Sequence, residues 1–422
     1  MRMQFPSLAL ILLAGSVGAT NHRGDTFSPF ADTDPGGPLS VPCASYHPGM
    51  MEHVHVGWTV SNDGYSFIGS LRPEDGFSAK LRARSVRRVM AGVADWEIAH
   101  HDTVIHHDLD WTNGALYAGM MAWARMAGDD KYLNWLRQIG TRNNWEPGPD
   151  IYNADDQCVS QMYLDMYRIN GDRRIIAPTL ARIDWVLAHP STSTMMLDYN
   201  DHSTLERWSW CDALFMAPPV YARLASITGE KKYVDAMAKE YQATYDLLYD
   251  REEHLFYRDH RYFQQRESNG RKVFWARGNG WVMGGLVSLL KELPRDNGHR
   301  AFYLSLFREM AERVASLQSE DGYWHASLLD SESYPNPETS GTAFFCYALA
   351  YGINAGLLER EIYLPHVKRA WRGLVEAVDA DGKLGWVQPI GADPKKVERS
   401  MTEVYGAGAF LLAGSEVIGL SE

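Results

Sequence analysis

The stretch Leu116–Tyr132, LYAGMMAWARMAGDDKY, contains one complete junction between two helices and decides the fold class. Its apolar residues recur at spacings of three and four up to Met126, which is the period of one face of an α-helix. Gly128 follows, and glycine suits the left-handed conformation in which helices often end. Asp129 and Asp130 come next, where acidic side chains favour the start of a second helix. The stretch therefore predicts two consecutive helices joined by a short turn.

The same junction occurs twice more along the chain. Gly171-Asp172-Arg173 and Gly229-Glu230-Lys231-Lys232-Tyr233 each end one helical pattern and begin the next. The three glycines stand at 128, 171 and 229, and spacings of 43 and 58 residues fit helical hairpins whose loops differ in length. The junctions therefore indicate a weak internal repeat of helix pairs.

Helical periodicity continues through most of the chain and predicts about twelve helices. Twelve helices in six antiparallel pairs favour an all-α fold, a closed (α/α)6 barrel of six helical hairpins. We expect this barrel to be one catalytic domain over residues 83–422, with an open helical solenoid and two helical bundles as the alternatives. The predicted helices lie near residues 83–101, 113–127, 130–140, 156–170, 173–188, 210–226, 231–249, 280–293, 299–318, 340–355, 363–379 and 404–418.

One segment departs from the helical pattern. Leu255–Arg258 and Val273–Trp275 are β-prone runs, and Ser268-Asn269-Gly270 lies between them. Asn-Gly between such runs is typical of a β-hairpin. We therefore predict a small hairpin, inserted between barrel helices, that reaches over the mouth of the barrel.

The composition limits the class of protein. The chain has 422 residues, a length that alone suggests two or three domains, and 45% hydrophobic residues exclude a disordered chain. Its 41 Lys and Arg, 53 Asp and Glu and net charge of -12, without a basic run, argue against a nucleic-acid or anionic-membrane binder. The 14 Trp, 22 Tyr and 14 Phe sum to 50 aromatics. Part of them could line a cleft for a ligand with flat, weakly polar faces, as sugar rings have.

The amino-terminal residues are predicted to be a secretory signal, residues 1–19. A short positive region precedes the apolar run Phe5–Val17, which is too short to span a bilayer, and Val17-Gly18-Ala19 offers small residues for cleavage. We expect a secreted or periplasmic protein without a membrane anchor. Residues 20–82 are rich in Gly, Pro, Asp and Ser and are expected to form an irregular arm, with a short strand at His53–His55.

The four cysteines, Cys43, Cys158, Cys211 and Cys346, are too widely scattered for a disulfide framework. We expect buried free thiols, with a single bridge between Cys158 and Cys211 as the alternative. The sequence has no zinc-type Cys/His spacing, nucleophile elbow, phosphate-binding loop or dinucleotide fingerprint, so no metal or cofactor is expected.

Acidic residues precede two predicted helices. Asn153-Ala154-Asp155-Asp156 stands directly before one, and either Asp155 or Asp156 is expected to cap that helix. Asp212 lies between Trp210-Cys211 and an apolar run, where an acid is costly to bury. Burial disfavours the charged form and raises the pKa of a carboxyl group toward a value useful for proton donation. Two acids at one mouth of a helical barrel predict an acid/base pair for hydrolysis.

The segment Trp275-Ala276-Arg277-Gly278-Asn279-Gly280-Trp281 is dense in aromatic residues. Two tryptophans beside an arginine can stack on a sugar and hold a carboxylate through the guanidinium fork. The alternative is a tight turn with packed tryptophans, which explains the glycines but not Arg277. Trp111-Thr112-Asn113-Gly114 starts a helix in a similar way, and Glu338–Thr342 is either another such start or a capping segment.

At these motifs the chain resembles glycoside hydrolase family 105, the unsaturated rhamnogalacturonyl or glucuronyl hydrolases, which are related to family 88. The resemblance runs from about Val86 to Val417 and excludes residues 20–82. Several long motifs in the same order make it specific. They are Asn153–Asp156, Trp210–Pro219, Trp275–Trp281, Glu338–Thr342 and Gly385–Pro389.

The resemblance implies the same (α/α)6 barrel and assigns roles to individual residues. Asp212 matches the general acid/base of the family, and Asp155 matches its second essential aspartate. Further matches to substrate-cleft positions are Trp111, Trp275, Arg277 and Trp281, and Asn113, Asp156 and Asn279 within the same motifs complete the predicted substrate contacts.

One departure from the family pattern concerns the predicted hairpin. Some members have a Tyr-His pair there, whereas this chain has Tyr257-Arg258-Asp259-His260. Arg258 or His260 is expected to replace that substrate contact.

The resemblance implies a hydrolase that removes a 4,5-unsaturated uronic acid from the non-reducing end of oligosaccharides made by polysaccharide lyases. Asp212 would protonate C4 and then activate water to attack C5, with Asp155 orienting the sugar or sharing the proton. The hemiketal then opens and releases the aglycone. Arg277, assisted by Arg258, would pair with the uronate carboxylate.

Two other functions stay open at this point. A polysaccharide lyase or sugar epimerase could use the same barrel, and a non-catalytic sugar-binding protein would use the tryptophans while the acids only cap helices. The sequence does not identify the aglycone, which could be rhamnose from pectin rhamnogalacturonan or rhamnose 3-sulfate from ulvan. It also does not give the oligomeric state or the galacturonyl or glucuronyl origin of the uronic acid.

Overall fold

The computed structural model describes residues 58–61, 64–67 and 76–421, and the chain divides into two compact units at Ser70 and Leu71. In the first unit, Trp58–Ser61 (β1) and Gly64–Phe67 (β2) form an antiparallel pair in which Trp58 lies opposite Phe67. The predicted signal, the strand at His53–His55 and Cys43 lie outside the described residues.

The second unit contains fourteen α-helices in its described part, and each of the twelve predicted segments overlaps at least one of them. Two predicted segments are each divided into a short and a long helix. The helices are Ala83–His100 (α1), Trp111–Ala127 (α2), Lys131–Arg142 (α3), Ala154–Gln157 (α4), Ser160–Asn170 (α5), Ala177–Ala188 (α6), Ala213–Met216 (α7), Pro218–Thr228 (α8), Lys231–Leu248 (α9), Ala276–Glu292 (α10), Arg300–Ser316 (α11), Thr339–Asn354 (α12), Arg360–Glu376 (α13) and Val404–Val417 (α14).

Six of these helices form a closed inner ring. Helices α2, α5, α8, α10, α12 and α14 each pack against the next, and α14 packs back against α2. The other long helices, α1, α3, α6, α9, α11 and α13, lie outside this ring and alternate with it along the chain. The closure confirms the (α/α)6 barrel and excludes the open solenoid and the pair of bundles.

The burial of each helix explains its place. Helix α10 is buried at every position from Ala276 to Leu290, and a helix that is buried all round lies inside the domain. The outer helix α3 buries only one face, at Tyr132, Leu136, Ile139 and Gly140. The inner ring is also closely packed, because a Cβ atom added at Gly119 of α2 would lie 2.1 Å from the carbonyl oxygen of Gly408 in α14.

The helix junctions predicted from the repeat are confirmed. Gly128, Gly171 and Gly229 have φ values of 73°, 69° and 77°, and each ends a helix in the left-handed conformation. Asp129 accepts a hydrogen bond from the backbone N–H of Lys131 at 2.9 Å, so the acid after the first glycine satisfies a free donor at the next helix start.

The predicted β-hairpin is present, but its pairing differs from the prediction. Leu255–Phe256 (β4) pairs antiparallel with Tyr249–Asp250 (β3), which directly follows α9. A four-residue connection closes this pair, whereas the predicted pairing with Val273–Trp275 would have to close a much longer loop. The shorter closure costs less conformational entropy.

Val273–Trp275 pairs instead with a distant segment. Trp275 and Ser327 form an antiparallel bridge, and the Ala276 N–H donates to the carbonyl of Ala326 at 2.9 Å. The Asn-Gly turn does form, because Gly270 has a φ of 81° and a bridge joins the residues on either side of the turn. Pairing over about fifty residues has no local signal in the sequence.

Cys158, Cys211 and Cys346 are buried free thiols, so the alternative bridge between Cys158 and Cys211 is not formed. Among the described residues, no helix combines the length and apolar character needed to cross a membrane.

Glu97 makes the stability of the barrel depend on pH. It lies on α1 with 2% of its surface exposed, and burial together with the negative charge of Glu403 raises its pKa from 4.5 to about 8. Between these two values the unfolded chain releases a proton that the folded chain keeps. The contribution of Glu97 to stability is therefore present at low pH and lost as the pH rises toward 8.

We expect Glu97→Gln to reduce the loss of unfolding free energy between pH 5 and pH 8 by about 3 kcal/mol. Urea unfolding of both proteins at the two pH values measures this difference. The exposed Glu361 at the start of α13 supplies the control. Between pH 5 and pH 8, Glu361→Gln should lose as much unfolding free energy as the protein without substitutions. An equal loss in Glu97→Gln would contradict the prediction.

Candidate active site

A cavity of about 350 Å³ lies where several helices of the second unit begin. Trp111 is the first residue of α2, Asp155 lies in the first turn of α4, and Asp212 directly precedes α7. The three side chains line the cavity together with residues from several loops. The full lining is Trp111, Asn153, Asp155, Leu197, Tyr199, Leu205, Trp210, Asp212, Met216, Arg258, Ile390, Gly391 and Ala392.

Asn153 caps α4, which leaves both aspartates of the motif free of that task. Its side-chain oxygen accepts a hydrogen bond from the Asp155 N–H at 3.0 Å. The expectation that Asp155 or Asp156 is the cap is therefore wrong, since the amide oxygen of the residue directly before α4 already accepts from the Asp155 N–H. The Asp155 carboxyl is available to the cavity.

Burial raises the pKa of Asp155 to about 8, and the negative charge of Asp212 adds to this shift. Arg258 opposes it, but with a smaller effect than burial and Asp212. Asp155 consequently carries a proton at neutral pH.

Asp212 is 7% exposed and forms an ion pair with Arg258. Nε of Arg258 lies 3.3 Å from Oδ2 of Asp212, and the Cys211 thiol donates to the same oxygen at 3.5 Å. The guanidinium compensates the negative charge of Asp212. The cavity thus holds two carboxyl groups in unequal environments, Asp155 with a raised pKa and Asp212 in an ion pair with Arg258.

Arg258 is held in place from several sides. The backbone N–H of Cys211 donates to the carbonyl of Arg258 at 2.8 Å, which fixes the end of the β3–β4 hairpin beside the start of α7. Nη1 of Arg258 donates to the Tyr199 hydroxyl at 2.9 Å and to Asp259 at 3.0 Å. The hairpin therefore delivers a fixed cation to the mouth of the cavity, at the position where this sequence departs from the family pattern.

Trp111 supplies the aromatic wall of the cavity. Its ring stacks on Tyr405 with centroids 5.3 Å apart and meets the edge of Trp281 at 5.9 Å. Trp281 is fully buried behind Trp111, and the Trp275 indole donates to the Gln388 side chain at 3.2 Å. Of the three predicted tryptophans, one lines the cavity and two support its wall.

Arg277 lies elsewhere than expected. It is fully buried, sandwiched between Trp275 at 4.4 Å and Tyr405 at 4.8 Å, and donates to the backbone carbonyls of Gln388 and Pro389. It is not part of the cavity lining. Arg277 therefore stabilises the loop at Gln388–Pro389, and the next residues, 390–392, form one wall of the cavity. The guanidinium that faces the cavity belongs to Arg258.

The two asparagines predicted as substrate contacts form hydrogen bonds with backbone groups instead. Asn279 is fully buried, accepts from the Phe256 N–H at 2.8 Å and donates to the Phe256 carbonyl at 3.1 Å, so it anchors β4. Asn113 is fully buried and donates to the carbonyl of His107 at 3.0 Å. Neither side chain lines the cavity, because both are used to hold the loops around it.

Asp156 and His260 lie outside the cavity lining as well. Asp156 is half-buried against Gly148, where an added Cβ would meet its carboxylate, and burial raises its pKa to about 6. His260 starts the short turn after Asp259 and packs at the edge of Phe263. Of the two candidates on the hairpin, the structure brings Arg258 and not His260 to Asp212.

Sequence reasoning missed several residues of the cavity wall. Tyr199 lies in a polar loop without periodicity, and Ile390, Gly391 and Ala392 lie in another. Loops of this kind carry no pattern that relates them to a site. The only available signal was the proximity of residues 390–392 to the Gly385–Pro389 motif.

Glu338 proves to be a helix cap. Its carboxylate is fully buried and accepts from the backbone N–H groups of Ser340 at 3.1 Å and Gly341 at 2.7 Å. The same carboxylate accepts from the Gln388 N–H at 3.2 Å. The capping alternative for Glu338–Thr342 is therefore confirmed. Within residues 76–421, no three His, Cys, Asp or Glu residues are grouped as metal ligands would be.

Comparison with known proteins gives consistent matches over the barrel. The family model of Glycosyl Hydrolase Family 88 matches residues 89–420. An unsaturated 3S-rhamnoglycuronyl hydrolase of Formosa agariphila is 40% identical over 352 residues, which cover 81% of this chain and 93% of that protein.

Two solved structures are also similar. A glycosyl hydrolase family 88 protein from Bacteroides vulgatus has a TM-score of 0.73 and 32% identity, over 80% of this chain and 99% of that one. A structure described as a polysaccharide lyase has a TM-score of 0.72 and 33% identity, over 80% of this chain and 97% of that one. Both align with nearly their whole length.

Proposed function

The chain belongs to glycosyl hydrolase family 88, and we propose that it removes a 4,5-unsaturated uronic acid from lyase-made oligosaccharides by hydrating the C4=C5 bond. The enzyme is a glycoside hydrolase of the unsaturated uronyl class. The observation that carries the mechanism is the unequal pair of carboxyl groups in one cavity, Asp155 with its raised pKa and Asp212 beside Arg258.

The uronate carboxylate is proposed to bind at Arg258. A guanidinium forms strong paired hydrogen bonds with carboxylates, and Arg258 is the cation in the cavity lining. Trp111 offers a flat face for the sugar ring. In a chain with a net charge of -12, a local cation is what attracts an acidic substrate.

Binding of the uronate also explains how the proton reaches the reacting carbon. The substrate carboxylate shares the charge of Arg258, so the anionic form of Asp212 loses part of its stabilisation. The proton held by Asp155 can then pass to Asp212, which delivers it to C4. Arg258 thus couples substrate binding to the protonation of Asp212.

The remaining steps follow from the charge that develops. Protonation at C4 leaves a cation at C5, stabilised by the ring oxygen, and Asp212 as the base takes a proton from the water that attacks C5. The resulting hemiketal opens to a ketone at C5, and the C1 hemiacetal then breaks to release the aglycone as an alcohol. Both halves of the reaction use one carboxyl group.

We propose that the aglycone is a rhamnose with a 3-sulfate, as in ulvan fragments. The Formosa agariphila relative supports this choice, because we take the prefix 3S in its name to mean a 3-sulfated rhamnose. Unsulfated rhamnose from pectin is the second candidate left by the sequence.

The test uses the ultraviolet absorbance of the C4=C5 bond conjugated to the carboxylate. Incubation with unsaturated disaccharides from ulvan, pectin and glycosaminoglycans should abolish this absorbance, fastest for the ulvan disaccharide. A polysaccharide lyase, as one similar structure is described, would instead raise the absorbance of an intact polysaccharide. A rise, or no change on any of the three disaccharides, would refute the proposal.

The activity is expected to fall as the pH rises through about 8, because Asp155 then loses the proton that the reaction needs. Each further pH unit should cost about tenfold in kcat/KM. A profile of kcat/KM from pH 5 to pH 10 measures this descending limb. Glu361→Gln should leave the limb at the same pH, since Glu361 is exposed at the start of α13 and lies outside the cavity, and a flat profile above pH 8 would contradict the assignment.

We also propose that the enzyme acts outside the cytoplasm after removal of residues 1–19. The positive start, the short apolar run and the small residues before position 20 support this. The mass of the mature protein purified from its native host tests it, and an intact amino terminus there would contradict it.

A further inference from the structure

We propose that Arg261, which lies outside the cavity lining but stacks on the lining residue Tyr199, binds the sulfate on the sugar that follows the scissile bond. The guanidinium carbon of Arg261 lies 4.4 Å from the centre of the Tyr199 ring. Tyr199 lines the cavity and is 57% exposed, and the Arg261 side chain is 33% exposed. This inference rests on the proposed function, and it makes Arg261 a residue that determines which aglycone the enzyme prefers.

The orientation of Arg261 is set by a buried acid. Asp259 is fully buried and accepts from Nε and Nη2 of Arg261 at 2.7 and 2.8 Å. These two bonds fix the plane of the guanidinium and leave Nη1 outside the pairing with Asp259. A fixed cation loses little conformational entropy when it binds an anion.

The same acid sets the distance between two cations. Asp259 also accepts from Nη1 of Arg258, whose Nε faces Asp212. One arginine is therefore held beside Asp212 and the other on the Tyr199 ring. A disaccharide with a carboxylate on its first sugar and a sulfate on its second presents two anions in the same order.

Arginine and tyrosine suit this second sugar. A guanidinium donates paired hydrogen bonds to the oxygens of sulfate as it does to those of phosphate and carboxylate. The exposed Tyr199 ring offers an apolar face to the rhamnose. Asp198 is another charge near Arg261, and its negative charge opposes an incoming anion. The gain in affinity from one sulfate is therefore expected to be moderate.

A simpler explanation is that Arg261 only completes a local turn. Asp172 and Arg174 make the same arrangement elsewhere, since Asp172 caps a short turn and pairs with Arg174 through Nε and Nη2. Arg174 is mostly exposed and does not line the cavity. It therefore supplies a control with the same local chemistry and no sugar nearby.

The test compares kcat/KM for the unsaturated disaccharide with rhamnose 3-sulfate and for its desulfated form. In Arg261→Gln, we expect the preference for the sulfated sugar to fall about tenfold, mainly through a higher KM, and Arg261→Lys should lose less because it keeps the charge. Arg174→Gln should keep the preference of the unchanged enzyme. Thermal unfolding of each variant confirms that it is folded.

The inference would be overturned if Arg261→Gln kept the full preference for the sulfated disaccharide. It would also be overturned if the enzyme without substitutions consumed the two disaccharides equally well. In both cases the absorbance still disappears and the proposed hydrolysis of the unsaturated uronic acid stands, whereas equal consumption of the two disaccharides would also refute the proposed preference for a 3-sulfated aglycone. If the unchanged enzyme consumes neither disaccharide, the proposed function itself fails.

Discussion

Replacement of Asp212 by asparagine is expected to lower kcat on unsaturated disaccharides by about a thousandfold to ten-thousandfold. Asparagine has the same shape but can neither deliver a proton to C4 nor take one from water. Because the proposed mechanism uses Asp212 in both steps, a single amide stops both. The loss of the substrate absorbance over time measures the rate directly.

The control must separate chemistry from the loss of a buried, ion-paired aspartate. Asp165 on α5 is such a residue, 6% exposed and 2.9 Å from Arg125, and it lies outside the cavity lining. Asp165→Asn should destabilise the protein and keep most of the activity of the folded fraction. A rate in Asp212→Asn similar to that in Asp165→Asn would exclude Asp212 as the acid/base.

Replacement of Arg258 by methionine is expected to lower kcat/KM about a hundredfold. The change removes the cation proposed to bind the uronate and leaves Asp212 without its partner at 3.3 Å. KM should rise because the carboxylate of the substrate loses its cation. The rate should fall as well, because binding no longer redistributes the proton between the two aspartates.

A second readout identifies the electrostatic role of Arg258. Its positive charge holds the pKa of Asp155 below the value that burial and Asp212 would otherwise give. In Arg258→Met the descending limb of the pH profile should therefore move above pH 8. A merely structural defect would lower activity at all pH values without moving the limb.

Arg223 provides a matched comparison for Arg258. The two side chains are 11% and 12% exposed, and each lies within 3.4 Å of an aspartate oxygen. Arg223→Met should lower stability in a similar way but leave KM and the pH profile as they are. If the two variants behave alike in KM, Arg258 does not bind the substrate.

The helices could be predicted because their signals are local. The spacing of three and four, the left-handed glycines and the acids after them all act within one or two turns. The observed helix ends differ from the predicted ends by a few residues, because caps and prolines near a helix end decide where it begins or stops. Pro218, for example, begins a new helix after α7, so the segment predicted at 210–226 is divided.

Some residues of the candidate site could also be predicted from local signals, and others could not. The two aspartates and Trp111 could be predicted because each stands at a helix start, and the ring brings those starts to one cavity. Arg277 and Asn279 stand in the same kind of motif, yet both are occupied by backbone groups far away in sequence. Whether a polar side chain faces a ligand or a carbonyl depends on those distant partners.

By itself, the sequence determined the all-α architecture, the number of long helices and the two acids that stand at helix starts, since periodicity and helix starts are properties of neighbouring residues. The tertiary structure alone decided the raised pKa of Asp155, the choice of Arg258 over Arg277 as the cation in the cavity and the position of Arg261 on Tyr199. The physical reason is that burial, charge compensation and hydrogen bonding are set by groups that become neighbours only when the ring closes.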